Sequence, residues 1–281
     1  MNNIYDNITE APKDPILGLT EEFKSDKNPK KVNLSVGVYQ DDNSKTPTFE
    51  SVTLAEKKLI DINSSKTYKP IDGDSIFLSE TLKLVLGESL YSKFISNTFG
   101  FNTPGGTGAL KLASDFLYNF SNKSKVWLSD PTWPNHGPVF NSSGFEIKNY
   151  DYFDKNNNKI DFKKMIDSIS SIPENDIIVL HGCCHNPTGA DMNKDQWSEI
   201  TELIKKKNLI TVCDFAYQGL GDGVEEDAAG VRNLIKELDN LIICSSYSKN
   251  FGLYSERVGC LIYHTKNLNN YSSVQSNFKK V

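Results

Sequence analysis

The fold is decided by short apolar segments that lead into polar loops. The clearest is Leu241-Ile-Ile-Cys244, which runs into Ser245-Ser-Tyr-Ser-Lys-Asn-Phe-Gly-Leu-Tyr-Ser-Glu-Arg-Val-Gly259. The β-branched run predicts a buried strand, and another strand is predicted soon after the loop. Lys249 therefore follows a strand end, with the Ser246 hydroxyl and the Arg257 guanidinium nearby in sequence. Hydroxyls and an arginine suit a phosphate, and a lysine beside an aldehyde that carries one can form a Schiff base.

Strand-like segments alternate with helical patterns along most of the chain. The predicted strands cover 126–128, 145–150, 177–180, 209–213, 241–244 and 260–263, and the predicted helices cover 51–63, 75–92 and 194–207, the last capped by Asn193. This alternation predicts an α/β fold, a large three-layer α/β/α domain with a mostly parallel sheet. In such sheets ligands bind outside the carboxyl ends of the strands.

Composition limits the classes of function. The chain has 281 residues, 38% of them hydrophobic and 24% charged, and a formal net charge of -5. This modest charge speaks against a nucleic-acid surface or a polybasic membrane contact, and no apolar run reaches transmembrane length. The five cysteines are an odd number, and the first residues lack the basic and apolar regions of a signal peptide. We therefore expect reduced thiols and a cytoplasmic protein with no nucleic-acid or membrane partner.

Candidate ligand-binding residues follow several of the predicted strands. Gly105-Gly-Thr-Gly-Ala-Leu110 opens a helical pattern and is either a phosphate site at a helix N-terminus or an ordinary tight turn. Asp130-Pro-Thr-Trp-Pro-Asn-His136 presents the flat ring of Trp133, for stacking on a ligand or for packing. Asp214 ends a strand, where a buried carboxylate is costly unless it meets a cation, and a pyridinium nitrogen would meet that need. Tyr217 follows three residues later.

The segment His181-Gly-Cys-Cys-His-Asn-Pro-Thr-Gly189 combines two histidines with two cysteines. No metal site is expected here, because adjacent cysteines should point in different directions and no second ligand pair is spaced to complete a tetrahedral site. Asn186, at the turn before Pro187, is the better candidate for a ligand contact.

Five stretches together carry a resemblance to a known family. They are 105–110, 131–138, 185–189, 214–219 and 248–259, and they read Gly-Gly-Thr-Gly-Ala-Leu, Pro-Thr-Trp-Pro-Asn-His-Gly-Pro, His-Asn-Pro-Thr-Gly, Asp-Phe-Ala-Tyr-Gln-Gly and Ser-Lys-Asn-Phe-Gly-Leu-Tyr-Ser-Glu-Arg-Val-Gly. In order and spacing the chain resembles the fold-type I, class I aminotransferases, most closely the aspartate aminotransferase group, from about residue 11 to its last residue.

The resemblance implies a cofactor and a role for each candidate residue. The implied catalytic residues are Lys249, Asp214 and Tyr68. Lys249 would carry pyridoxal 5'-phosphate covalently and act as the catalytic base, and Asp214 would pair with the ring nitrogen. The phosphate would be held by Gly106, Thr107, Ser246, Arg257 and a second subunit's copy of Tyr68. The ring would stack on Trp133, with its phenolic oxygen in contact with Asn186 and Tyr217, and His136 would lie behind Asp214. The substrate would be contacted by Gly37, Trp133 and Asn186.

The same resemblance implies an organisation and a reaction. Residues 1–47 would form an N-terminal arm and the first part of an incomplete smaller α+β domain, and 48–281 the large cofactor-binding domain. A strand is predicted over 32–39, and the proline-rich segment 11–19 is expected to be extended, docked either on a neighbouring subunit or on its own domain. The implied protein is a homodimer with shared active sites that exchanges the amino group between L-aspartate and 2-oxoglutarate by a ping-pong reaction.

The chain also departs from the family pattern. The family places two substrate-binding arginines and the rest of the smaller domain beyond the position of Val281. We expect a truncated form of an active enzyme, since the last residues resemble a helix without a capping signal. The alternatives are a catalytically idle fragment that binds cofactor or forms dimers, and an aminotransferase of aromatic amino acids.

Overall fold

The computed structural model describes residues 3–10, 17–33, 37–43, 45–121 and 123–281. The chain divides into two compact units, Met1–Pro47 and Thr48–Val281. The first unit contains a 3₁₀ helix, Ile4–Asn7, and α1, Leu17–Ser25.

Two expectations for the first unit differ from the structure. The strand predicted over 32–39 is wrong for its described residues, which are neither strand nor helix. The described part of this unit offers no second strand to pair with, and an unpaired strand leaves its backbone N–H and C=O groups without partners. Of the segment expected to be extended, 11–16 lie outside the described residues and 17–19 are helical.

The second unit is built of alternating helices and strands. The helices are α2 Glu50–Ile62, α3 Ser75–Phe94, α4 Gly105–Ser121, α5 His136–Asn141, α6 Phe162–Ser170, α7 Lys194–Lys206, α8 Ala229–Glu237 and α9 Tyr271–Lys280, with 3₁₀ turns at Ile95–Asn97 and Leu268–Asn270. The strands are β1 Thr98–Pro104, β2 Val126–Asp130, β3 Ile147–Asp151, β4 Phe153–Asp154, β5 Lys159–Ile160, β6 Ile177–His181, β7 Ile210–Phe215, β8 Asn240–Ser246 and β9 Val258–Thr265.

Seven of these strands form one sheet in the order β1-β9-β8-β7-β6-β2-β3. β9 runs antiparallel to both of its neighbours, and the pairs β8–β7, β7–β6, β6–β2 and β2–β3 are parallel. The carboxyl ends of β6, β7 and β8 therefore lie side by side, with His181 paired to Asp214. Because β9 is reversed, its first residues meet the same edge, where Gly259 pairs with Ser246.

Helices cover both faces of the sheet, which confirms the predicted three-layer α/β/α fold. Ile178 and Leu180 of β6 pack with α3, α6, α7 and α8, whereas Ile177 and Val179 pack with α4, α5 and α9. Successive residues of a strand point to opposite faces, so a strand covered on both sides must be apolar throughout. This is why these segments could be recognised from sequence.

Helix α7 begins where sequence predicts, at the Asn193 cap. The Asn193 side chain accepts a hydrogen bond from the Gln196 backbone N–H, and the Gln196 side chain reaches back to the cap. This capping box satisfies two N–H groups that have no partner inside the helix.

Helix α3 contains a kink that its apolar pattern conceals. Gly87 has φ 74° and ψ 155°, which is not helical. The Arg232 guanidinium packs against Gly87, and its Nε and Nη2 donate to the carbonyls of Val85 and Leu84 at 3.1 and 3.4 Å. Side-chain donors thus replace the backbone bonds that the kink removes.

Among the described residues, no helix combines the length and the apolar character needed to cross a bilayer.

Candidate active site

The carboxyl edge of the sheet collects most of the candidate residues. Lys249 lies in a turn just after β8, on the loop that leads to β9. Its Nζ lies 5.9 Å from the ring centroid of Tyr217 and 5.8 Å from that of Tyr254. Removal from water lowers the pKa of the Lys249 amine below its usual value; the positive charge of Arg257 lowers it further, and Asp214 opposes the shift. The site therefore favours a neutral, nucleophilic lysine more than water does.

Asp214 lies near the end of β7 and is held by a buried histidine. The Oδ2 atom of Asp214 lies 2.9 Å from Nε2 of His136, whose side chain is 0% exposed while that of Asp214 is 11% exposed. On its other side the His136 ring meets Thr132, with Nδ1 2.8 Å from the hydroxyl oxygen. One carboxylate oxygen thus faces a fixed ring rather than water.

The hydrogen bonds behind His136 define its proton positions. The backbone N–H of Asn186 donates to Nδ1 of His181 at 3.4 Å, and Nε2 of His181 lies 3.2 Å from the Thr132 hydroxyl. Burial lowers the pKa of His181 well below its usual value, so its ring is neutral. With Nδ1 accepting, Nε2 carries the proton and donates to Thr132, whose hydroxyl donates to Nδ1 of His136. Nε2–H of His136 then donates to Asp214.

A second polar pair lies beside this chain of hydrogen bonds. Nδ2 of Asn186 donates to the Tyr217 hydroxyl at 3.3 Å. Burial raises the pKa of Tyr217, and the Asn186 hydrogen bond and the Asp214 charge act in opposite directions on it. The indole of Trp133 meets the His136 ring edge to face, with centroids 5.3 Å apart. Asp214, Asn186, Tyr217 and Trp133 are thus brought to one place, as sequence predicts.

The first turn of α4 faces Ser246 and Arg257. A Cβ atom built on Gly105 would lie 2.7 Å from an Arg257 guanidinium nitrogen, and one built on Gly106 would lie 3.0 Å from Cβ of Ser246. Arg257 also donates to the Ser248 hydroxyl at 3.4 Å. Helix N–H groups, hydroxyls and a guanidinium thus converge, as an anion site requires. Thr107 is half-buried in the same turn.

Within its own chain, Tyr68 is not brought into this cluster. The Tyr68 side chain is 102% exposed, so it has no place in the site of its own chain. Gly37 belongs to the first unit, and a Cβ built on it would meet nothing within 4 Å. The roles of both remain predictions.

The structure adds residues that motif reading did not single out. Thr132 and His181 connect the candidates through hydrogen bonds, and Gly105 makes room for Arg257. Thr132 and His181 both lie inside segments that the sequence analysis singled out, so the sequence did indicate that they lie near the site. Their partners could not be assigned, because β2 and β6 meet only in the sheet.

The expectation that the two cysteines diverge is wrong. The sulfur atoms of Cys183 and Cys184 and a carboxylate oxygen of Asp227 all lie within 4.8 Å of one another. Cys184 has φ 48°, a left-handed backbone conformation that is uncommon outside glycine. This backbone turn brings neighbouring side chains together, which the alternating geometry of an extended segment would not do.

Comparison with known proteins identifies the family. Residues 29–279 match the family model described as aminotransferase class I and II. The chain belongs to the class I and II aminotransferase family, which confirms the resemblance found in its motifs.

Relatives of known name give the finer comparison. Over 256 residues the chain is 45% identical to an aspartate aminotransferase of Escherichia coli, a match that covers 91% of this chain and 65% of the relative. It is 40% identical over 272 residues to an aromatic-amino-acid aminotransferase of Pseudomonas aeruginosa, covering 97% of this chain and 68% of the relative. The chain thus spans about two thirds of the length of these relatives, and less than that for the Escherichia coli protein.

Solved structures support the same fold. An aromatic-amino-acid aminotransferase of Burkholderia pseudomallei, covalently bound to pyridoxal phosphate, superposes with a TM-score of 0.95 at 40% identity, covering 99% of this chain and 70% of that one. The aspartate aminotransferase of Saccharomyces cerevisiae cytoplasm superposes with a TM-score of 0.90 at 34% identity, covering 99% and 69%.

Proposed function

We propose that the protein is an aminotransferase that uses pyridoxal 5'-phosphate to exchange an amino group between L-aspartate and 2-oxoglutarate, giving oxaloacetate and L-glutamate. The observation that carries the proposal is the position of Lys249, whose pKa is lowered, between the Asp214–His136 pair and the anion site at α4. Membership of the family supports the reaction type.

The residues present fit the phosphate of the cofactor. Gly105 and Gly106 carry no side chains that would block the space in front of α4, where the backbone N–H groups and the Arg257 guanidinium converge. Gly106, Thr107, Ser246 and Arg257 would hold the dianion, with Tyr68 reaching in from a second subunit. The guanidinium supplies the strongest of these contacts, since charge-assisted hydrogen bonds are about twice as strong as neutral ones.

The residues present also fit the ring. Asp214 keeps one oxygen on His136 and is 11% exposed, so a cationic ring nitrogen would replace lost solvent as its partner. Asn186 and Tyr217 would contact the phenolic oxygen, and Trp133 would stack on the ring face. The ring of Tyr217 lies 5.9 Å from Nζ of Lys249.

The chemistry divides between the cofactor and the protein. When bound, the cofactor supplies an electron sink for the charge that develops at the substrate α-carbon. Asp214 would hold the proton on the ring nitrogen, and His136 would fix the orientation of that carboxylate. Lys249 Nζ, whose lowered pKa favours the neutral amine, would take the proton from the substrate α-carbon as a general base and give it back as a general acid.

Substrate preference is the finer part of the proposal. Aspartate is favoured by the identity of 45% to the Escherichia coli aspartate aminotransferase. An aromatic amino acid is the second candidate, because aromatic-amino-acid aminotransferases reach 40% identity. Gly37, Trp133 and Asn186 are proposed as substrate contacts in either case.

A homodimer with shared sites is proposed as the working form. Tyr68, proposed as a phosphate ligand, is fully exposed in its own chain. Helix α2 contains no buried residue, and its Leu59, Ile60 and Ile62 are 61%, 76% and 67% exposed. Apolar surface of this extent favours a protein partner. A cytoplasmic location remains a prediction, supported by five free cysteines.

The test is a visible absorption spectrum of the purified chain with pyridoxal phosphate. A yellow band that bleaches with L-aspartate and returns with 2-oxoglutarate is expected, and the Lys249→Ala variant should bind the cofactor without the covalent band. The same titration with an aromatic amino acid ranks the two substrate classes. A band that ignores every amino acid would instead favour the idle fragment, and no covalent band would contradict the role of Lys249.

A further inference from the structure

Three side chains of types that can bind metals lie together outside the residues assigned above, two on the loop between β6 and α7 and one on the segment between β7 and α8. They are Cys183, Cys184 and Asp227, which we name the thiol site. Within the part of the chain that the structure describes, this is the group of three such side chains whose ligand atoms converge, all within 4.8 Å of one another. A tetrahedral zinc with Zn–S distances of about 2.3 Å places its ligand atoms about 3.8 Å apart, so small side-chain rotations suffice.

The two thiols are held in place by the backbone of their own loop. Asp191 accepts hydrogen bonds from the backbone N–H groups of Cys184 and His185. Together with the left-handed backbone at Cys184, with φ 48°, this fixes the turn that brings the sulfurs together. Cys183 is buried at 6% exposure, whereas Cys184 is half-buried. An ion could therefore enter from the Cys184 side.

The third ligand is oriented before any ion arrives. Oδ2 of Asp227 accepts from the N–H groups of Gly219 and Gly221 at 2.8 and 3.0 Å, and Oδ1 accepts from Asp222 at 2.8 Å. The recorded bonds leave one in-plane lone pair of Oδ1 for a cation. The Asp227 residue is 7% exposed, so a cation would also offset the cost of its burial.

Gly221 keeps the space between sulfur and oxygen open. A Cβ built there would lie 2.7 Å from Oδ1 of Asp227 and 3.2 Å from Sγ of Cys184. Any other side chain would therefore crowd Oδ1 of Asp227 and the position where an ion must sit, so Gly221 is a steric probe that changes none of the three ligand residues.

We propose that Cys183, Cys184 and Asp227 bind one thiophilic divalent cation, Zn²⁺ or Cd²⁺, with water in the remaining coordination position. On binding, each thiol releases its proton to solvent and both sulfurs coordinate as thiolates. Two thiolates and a carboxylate suit a borderline or soft ion, whereas Mg²⁺ and Ca²⁺ prefer ligand sets made only of oxygen. The ion is held beside the proposed catalytic edge, two residues before Asn186.

The test is titration of the reduced, chelator-treated 281-residue chain with Cd²⁺, following the ultraviolet thiolate-to-metal charge-transfer band. The wild-type chain should bind one Cd²⁺ with the intensity of two thiolates. Cys184→Ser should lose half of the band or more and weaken binding by at least about tenfold, the scale of losing a supporting group alone. Cys244→Ala, which removes a fully buried thiol elsewhere, should bind as the wild type does.

Two further results decide the location of the ion. Gly221→Ala should weaken Cd²⁺ binding while circular dichroism shows a folded chain, because the added methyl group crowds Asp227 and the ion position and changes none of the three ligand residues. The proposal is overturned by a wild-type chain that gives no band, by an unchanged band in folded Cys184→Ser, or by equal affinity in folded Gly221→Ala. Since the readout is metal binding, the outcome is independent of whether the chain transfers amino groups.

Discussion

His136 directs its Nε2–H at Oδ2 of Asp214 across 2.9 Å, and both side chains are shielded from water. The direction of this hydrogen bond follows from a chain of donors. The backbone N–H of Asn186 donates to His181, His181 donates to Thr132, and Thr132 donates to His136. Accepting this hydrogen bond fixes the orientation of the Asp214 carboxylate.

Loss of the Asp214 charge should impair turnover while the cofactor still binds. The Asp214→Asn variant keeps the shape and loses the partner of the ring nitrogen. We expect kcat/KM for aspartate to fall by about 100-fold or more, equivalent to about 2.7 kcal/mol of transition-state stabilisation. Steady-state kinetics test this, with Asp195→Asn on the exposed first turn of α7 as the control. Turnover equal to the wild type would contradict the role of Asp214.

Thr132 should contribute to turnover through the hydrogen bonds of its hydroxyl and not through its shape. Thr132→Val has the same shape but can neither accept from His181 nor donate to His136, so the His136 proton is free to move to Nδ1. We expect a fall in kcat of about 10-fold, with Thr132→Ser close to the wild type. Nitrogen NMR of the histidine rings would show the change of tautomer, a signal that mere loss of packing does not produce. An unchanged tautomer in Thr132→Val would rule out the relay.

The lowered pKa of Lys249 predicts the pH dependence of its reactivity. Only the neutral amine attacks an aldehyde, so trapping of pyridoxal on Lys249 with borohydride should rise with pH around a midpoint below the ordinary lysine value of 10.5. Pyridoxal lacks the phosphate, so its capture does not depend on phosphate contacts at the anion site. In Arg257→Gln the loss of a neighbouring positive charge should move the midpoint upward. Mass spectrometry of the trapped peptide measures both, and a downward shift in Arg257→Gln would contradict the stated cause.

Buried neutral histidines predict a loss of stability in acid. Burial lowers the pKa of His185 and of His264 to about 4, from the ordinary value of 6.5. Between pH 6.5 and 4 the unfolded chain binds more protons than the folded chain, so the free energy of unfolding falls as pH falls, by up to about 3 kcal/mol per ring. Urea unfolding at several pH values measures this slope. His264→Asn, which preserves a partner for Thr98, should have a shallower slope; an equal slope would exclude His264 as a source.

Contact between α7 and α8 predicts a specific packing defect. A Cβ on Gly230 would lie 2.2 Å from the Trp197 ring, whereas a Cβ on Gly137 would meet nothing within 4 Å. We expect Gly230→Ala to lower the free energy of unfolding by about 1–3 kcal/mol, because the indole is confined between buried neighbours. Gly137→Ala, also in a helix, should cost nothing or stabilise slightly. Thermal or urea unfolding of the two variants makes the comparison, and equal stabilities would refute this account.

Local sequence determined which segments become the central strands and where the chemistry begins. The strands β6, β7 and β8 are covered on both faces, so successive residues along each must be apolar. Asp214 is the last residue but one of β7, and Ser246 is the last residue of β8. Asn193 likewise set the start of α7, because a cap acts on N–H groups only a few residues away. Motifs of this kind carried most of the candidate site.

Tertiary structure decided the features whose interacting residues are far apart in the sequence. Strand β1, Thr98–Pro104, contains a glycine and a proline and escaped prediction; it exists because it pairs with β9 about 160 residues later. The kink at Gly87 is held by Arg232, and the thiol site needs Asp227 opposite two cysteines from another loop. Sequence specifies burial and backbone preference locally, whereas hydrogen bonds and ligand distances arise only when separate strands and loops are brought side by side.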